Sequence, residues 1–159
     1  MESENFANLP STSFGSGPDL ETRLAALILA GRKQATVWNG ALPNETAPGM
    51  RWRVTVNGRD VAVIETLSVE RRKFREIDEA FAFAEGEGDR SLAFWRAVHE
   101  KFFREEGHFT PDMELWCEIF RLVATLDASL ASEAASHVAA EEREAADILS
   151  ASLKAITGG

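Results

Sequence analysis

Arg51-Trp52-Arg53-Val54-Thr55-Val56-Asn57-Gly58, with Val61-Ala62-Val63-Ile64 just after it, decides the fold. Apolar and polar residues alternate in the first half, so Trp52, Val54 and Val56 share one face of a strand. Asn57-Gly58 supplies two residues that tolerate positive φ, the mark of a tight hairpin. The return strand spans 61–67 and continues through Val69. Its unbroken apolar run fits a central place in a sheet.

Upstream, Pro18-Asp19 opens a helix in which Leu20, Leu24, Leu27 and Ile28 recur at helical spacing, and Gly31 is placed to end it. Residues 34–38 read as a short strand, followed by a loop with Pro43, Pro48 and Gly49. Downstream, 77–84 reads as a helix broken by Glu85-Gly86-Glu87-Gly88-Asp89. A second helix covers 92–105, with Leu92, Trp95, Val98, Phe102 and Phe103 as its buried stripe. A last strand, 115–123, sets Leu115, Cys117 and Ile119 against Trp116, Phe120 and Leu122. This order does not fit a βαβ repeat. It points to an α+β fold: a small mixed β-barrel with helices packed outside and a C-terminal helical extension. Three regions follow: a flexible arm (1–13), the domain (14–126) and an Ala/Glu-rich helical tail (127–159). The tail is either an amphipathic helix packed on the body or a partner, where it would mediate self-association, or a loosely held end.

Composition agrees with one folded domain. The chain has 159 residues, 45% apolar and 27% charged, and its ten Phe and four Trp supply a sizeable core. No apolar run is long enough for a membrane span. The acidic start Met1-Glu2-Ser3-Glu4 lacks the apolar segment of a secretory signal. A single cysteine, Cys117, excludes an intramolecular disulfide. The expected compartment is the cytoplasm. A net charge of −9 disfavours generic nucleic-acid binding. The tail carries six acids against two bases, however, and Arg51, Arg53, Arg71, Arg72, Lys73 and Arg75 leave room for a basic patch on the body.

Two segments carry chemistry. Gly31-Arg32-Lys33-Gln34-Ala35-Thr36 joins a helix end to a strand, and Lys33 and Thr36 meet if the chain turns there. A threonine nucleophile needs a base, and lysine serves only if burial or a neighbouring cation such as Arg32 depresses its pKa. Alternatively, Arg32 and Lys33 only satisfy the helix end. Glu85, Glu87 and Asp89 alternate with two glycines: either a solvated capping turn, or a site whose acid orients Lys33 or acts as acid-base. The calcium-loop pattern is absent, and His99, His108 and His137 lack metal-ligand spacing, so no metal or other cofactor is expected. Cys117 reads as a buried apolar group. Trp38, Trp52 and Trp116 fall on strands, where they pack the core or stack on a base; Trp38, beside Asn39-Gly40, is the candidate for a pocket mouth.

The Gly-x-Lys-x-x-Thr step, the Ala-Glu-Gly-Glu-Gly-Asp segment followed by Trp95 and His99, and the closing Cys117-Glu118-x-Phe120-Arg121-Leu122-Val123 strand resemble the ASCH domain family, in its bacterial stand-alone branch, over residues 14–124. The resemblance implies a barrel of PUA-like type with a cleft beside the first helix. It also implies RNA binding, ribonuclease activity, or amidohydrolase activity on acetylcytidine that uses a lysine, a threonine and a glutamate. On this chain these fall on Lys33, Thr36 and Glu87, with Glu85 as the second choice. Arg32 and Gln34 stand where the branch often has lysine and threonine.

Three functions are compatible. In a hydrolase acting on a nucleoside-like small molecule, Thr36 attacks, Lys33 takes its proton and Glu87 or Glu85 supports Lys33. In a module that binds or cleaves single-stranded RNA, Lys33, Arg32, Arg51, Arg53 and the 71–75 cluster contact phosphates while Trp38 and Trp116 stack, and Lys33 serves as the base for cleavage. Asp89 belongs to the same candidate binding surface. In a non-catalytic interaction domain, the tail docks on a partner.

Overall fold

A computed structural model describes residues 5–157. Five strands form one sheet in the order β1-β3-β4-β5-β2: β1 (Ser11–Thr12), β2 (Ala35–Asn39), β3 (Arg51–Val56), β4 (Arg59–Lys73) and β5 (Glu114–Thr125). Only β1 against β3 is parallel. The hairpin turns at Asn57 (φ 51°) and Gly58 (φ 80°), as its sequence predicts. β4 lies at the centre, where its apolar run is covered on both faces.

The expected barrel is not closed. β1 bonds only to β3 and β2 only to β5, so among the described residues the two edges do not pair. The sheet curls instead, and a cavity of about 420 Å³ fills the seam, lined by Ser11, Thr12 and Ser13 on one side and Thr36, Val37 and Trp38 on the other. β1 is too short to bridge it, and it is tied down by pairing Ser11 with Arg53 and Thr12 with Val54. These two residues, expected in a flexible arm, are therefore part of the sheet. Residues 1–4 of that arm lie outside the described residues.

Alternation along β5 serves two cores. Leu115 and Cys117 enter one with Ala35, Phe74, Phe81 and Trp95, beside α2 (Glu79–Glu85) and α3 (Leu92–Glu105). Phe120 enters the other with Val54, Ile64 and α1 (Pro18–Leu29). α1 begins with Pro18 at its first turn and Asp19 and Glu21 near its positive end. The tail is one helix, α4 (Ala128–Thr157), folded back on α1. Leu130, Ala134 and Ala145 are buried. Arg23 of α1 donates to Glu141 (3.0 Å) and Glu144 (2.9 Å). This apolar stripe is thus used within the chain.

α2 ends at Gly86, whose φ of 73° lies in the left-handed region; a Cβ there would stand 2.2 Å from the Arg32 carbonyl oxygen. Gly88 (φ 63°) is similarly wedged, 2.3 Å from the Phe94 ring. The acidic loop is therefore pressed against the α1–β2 junction. Gly86→Ala combines left-handed strain with overlap on backbone, and is expected to cost about 2–4 kcal/mol. Urea denaturation checks this; a loss below 1 kcal/mol, by the same principles, contradicts the close approach.

Candidate functional site

The α1–β2 junction and the acidic loop meet at Lys33, which is only 2% exposed. Its Nζ donates to Glu85 Oε2 (2.9 Å), Glu87 Oε2 (2.7 Å) and the Ala35 carbonyl (2.8 Å). These three short bonds use the three ammonium protons, and the Glu85 carbonyl stands by at 3.4 Å. The loop is clamped around it. Arg32 Nε donates to Gly86 O (2.9 Å), its Nη2 to Gly88 O (2.7 Å), and its Nη1 pairs with Glu142 of α4 (3.0 Å). The Gly88 N–H donates to Glu141 of α4 (2.8 Å).

This geometry sets the charges. Burial lowers the pKa of Lys33, but Glu85 and Glu87 outweigh burial and raise it above the ordinary value. Lys33 is a held ammonium, the opposite of the depressed amine that the sequence reading requires of a base. Burial pushes the Glu85 carboxyl up to about 8, against the pull of Lys33. Glu87 is also penalised by burial, yet the charge of Lys33 brings it down to about 2. The opposite directions have one cause: a single ammonium favours one buried anion beside it and disfavours a second. Glu85 Oε1 is buried without a hydrogen-bond partner. It lies 3.9 Å from His99 Nε2, too far for a hydrogen bond. His99 stacks on Trp95, and its Nδ1 lies 2.8 Å from the Trp95 carbonyl. A carbonyl only accepts, so Nδ1 carries a proton. Burial depresses the ring's pKa, which leaves Nε2 as a lone pair facing Glu85. Glu85, Glu87 and His99 bring ligand-type atoms within 4.8 Å of one another. Lys33 already supplies the positive charge between the two carboxylates.

A second cavity, of about 320 Å³, opens above the cluster, lined by Lys33, Glu85, Glu87, His99, Thr36 and Trp38 among others. It shares Phe14, Gly15, Thr36, Val37 and Trp38 with the seam cavity, so the two are lobes of one cleft. Thr36 stands at their junction. Its hydroxyl has no hydrogen-bond partner among the described residues, and its backbone is anchored opposite Glu118 of β5.

Lys33, Thr36, Glu85 and Glu87 therefore come together, with Trp38 at the cleft. The other candidates do not. Arg32 braces the loop backbone. Arg51 pairs with Glu65 (3.0 Å), and Arg53 with Asp60 (2.8 Å) and the Leu9 carbonyl (2.9 Å). Asp89 is exposed and accepts from the Ser91 N–H (2.9 Å). Trp116 lies beside Trp38 at 6.4 Å, and its Nε1–H donates to Leu42 O. None of these lines either lobe. Cys117 is buried, and burial pushes its thiol up to about 12, so it is no nucleophile at neutral pH. The sequence reading passed over Glu118, a buried carboxyl lining the larger lobe. The missed signal is its place on the inward face of β5, between Trp116 and Phe120.

The family model described as ASCH domain matches residues 11–124. The ASCH domain structure from Lactobacillus crispatus JV V101 is 31% identical, with a TM-score of 0.65, covering 72% of this chain and 79% of that one. A protein structure from Enterococcus faecalis V583 is 30% identical, with a TM-score of 0.64, covering 72% and 80%. A search of curated proteins returned no match.

Two outcomes follow from the cluster. Lys33→Met strands Glu87 without its counter-ion and is expected to cost about 3–5 kcal/mol in urea denaturation; a neutral substitution contradicts the buried charge. Glu85 has a folded pKa above its unfolded value, so the native state keeps a proton that the unfolded chain has released. Stability from this group is full below the ordinary carboxylate range and is lost as pH rises towards 8, by at most about 1.4 kcal/mol per unit. Glu85→Gln is expected to remove this component, so wild type minus variant stability falls between pH 5 and pH 8 on the ordinary scale; a flat difference rules out the buried acid.

Proposed function

Because the chain belongs to the ASCH domain family, a PUA-like family associated with RNA, we propose that its cleft takes an acylated nucleoside and hydrolyses the acyl amide. One observation carries this reading: the unpartnered Thr36 hydroxyl stands where two lobes meet, beside a buried Lys33–Glu85–Glu87 cluster. One lobe suits a ring and the other an acyl group with its developing charge.

In the proposed reaction Lys33 stays an ammonium, and Glu87, the carboxylate it holds at 2.7 Å, takes the Thr36 proton as Oγ1 attacks the acyl carbon. The ammonium stabilises the oxyanion that forms. The intermediate collapses with cleavage of the C–N bond, and Glu87 returns its proton to the departing amine. Water then hydrolyses the threonine ester. Glu85 stays neutral, which keeps the cluster from carrying two buried anions.

RNA association, the coarser property of the family, fits this chain less well as a polymer contact. The net charge is −9, and Arg51, Arg53, Arg71 and Arg72 are each paired with a carboxylate. A neutral nucleoside needs no phosphate attraction.

The test is release of acetate from acetylcytidine by the purified chain. Thr36→Ala is expected to lower the rate by about 10²–10⁴-fold, with an unchanged circular dichroism spectrum. Turnover that survives Thr36→Ala, or none in the wild type, removes the proposal.

A further inference from the structure

Glu118 takes no part in the reaction above, yet it is a carboxyl only 6% exposed, and it lines the larger lobe. A chain of hydrogen bonds leads to it. Trp52 Nε1–H donates to Thr46 Oγ1 (2.9 Å), the Thr46 and Thr66 hydroxyls meet at 2.7 Å, and the Thr66 hydroxyl donates to Glu118 Oε2 (2.8 Å). An indole N–H only donates, and each hydroxyl has one proton. Thr66 spends its proton on Glu118, so Thr46 must give its own to Thr66. Every bond therefore points the same way, and the chain delivers a donor to one carboxylate oxygen. The other, Oε1, has no hydrogen-bond partner among the described residues, and it is not among their fully enclosed unpartnered atoms. That oxygen is open to the cavity in front, which holds about 420 Å³, and among the described residues no group donates to it, so its acceptor capacity is left for what enters the cavity.

We propose that Glu118 is a specificity residue, and that its free oxygen accepts the N–H of an exocyclic amine on a nucleobase held in the larger lobe. Trp38 and Trp52 line that lobe and offer faces for a planar ring. The strand register fixes the rest. Glu118 is the direct cross-strand partner of Thr36, so the two side chains leave the same face about 5 Å apart at Cβ. In an acylated amine the carbon under attack and the N–H nitrogen are bonded to each other. A nucleophile and an N–H acceptor placed side by side match that pair of atoms. The inference rests on the acylated-nucleoside reading and adds to it the selected feature: an amino-bearing base such as cytosine is accepted, and a keto base that presents an oxygen to the same carboxylate is repelled.

Isothermal titration with cytidine, uridine and N4,N4-dimethylcytidine tests this without requiring turnover. Wild type is expected to bind cytidine at least about tenfold more tightly than the other two. Glu118→Gln keeps the volume but adds an amide donor, so cytidine weakens and uridine tightens, a crossing that a packing defect does not produce. Glu118→Leu makes the three ligands equal. Thermal melts of both variants establish that they are folded. Equal binding of all three nucleosides by wild type, no binding of any, or a cytidine lead that survives both substitutions overturns the proposal. A Glu118-dependent cytidine preference in a chain that releases no acetate retires the hydrolase and keeps this subsite. Acetate release together with base-blind product binding does the reverse.

Discussion

An ammonium buried between two glutamate carboxyl groups is the constraint around which this structure is arranged. Taking charge out of water is costly, so Lys33 can sit at 2% exposure only if acceptors surround it. They come from a loop 52 to 54 positions away, which must be brought in and held. Gly86 and Gly88 let that loop touch backbone and ring directly, and Arg32 grips its carbonyls. The cluster fixes the α1–β2 junction and so fixes where Thr36 projects. The site's electrostatics are thus also its scaffold.

The second constraint is the open seam of the sheet. A closed barrel would satisfy the edges of β1 and β2 with each other and fill its interior with side chains. Here the edges stay apart, and the interior face carries a packed core at one end and a cavity at the other. The seam makes a ligand-sized lobe out of the part of the fold that pairing leaves unfinished. It also puts Thr36 on an edge strand, where its side chain meets both lobes.

What the sequence revealed follows from the range of the interactions involved. Alternation and helical spacing are local, so the hairpin at Asn57-Gly58, the central place of β4 and the span of α3 were all legible. Hairpin patterns say which strands adjoin but not whether the outer two meet, and the barrel was inferred one step too far. A two-residue strand such as β1 has no period to detect. At the site, residue types and family resemblance brought out Lys33, Thr36, Glu85 and Glu87, but the charge on Lys33 depends on burial and on two partners distant in sequence. Arg51 and Arg53 looked available because Glu65 and Asp60, which pair with them, lie on the neighbouring strand. Glu118 was legible and overlooked: a carboxylate at an inward position of an apolar strand is the kind of local inconsistency that marks a working residue.

The contacts of α4 bear on the order in which the molecule can be completed. Glu141 and Glu142 hold the Gly88 amide and Arg32, yet they lie some fifty residues or more beyond the loop that they secure. On a ribosome, which releases the chain from its N-terminal end, the sheet and the acidic loop are synthesised well before these two side chains exist. The nascent cleft therefore passes through a stage with its ammonium and carboxylates present but two of its outer fastenings missing. It acquires its finished shape only when the last helix swings back.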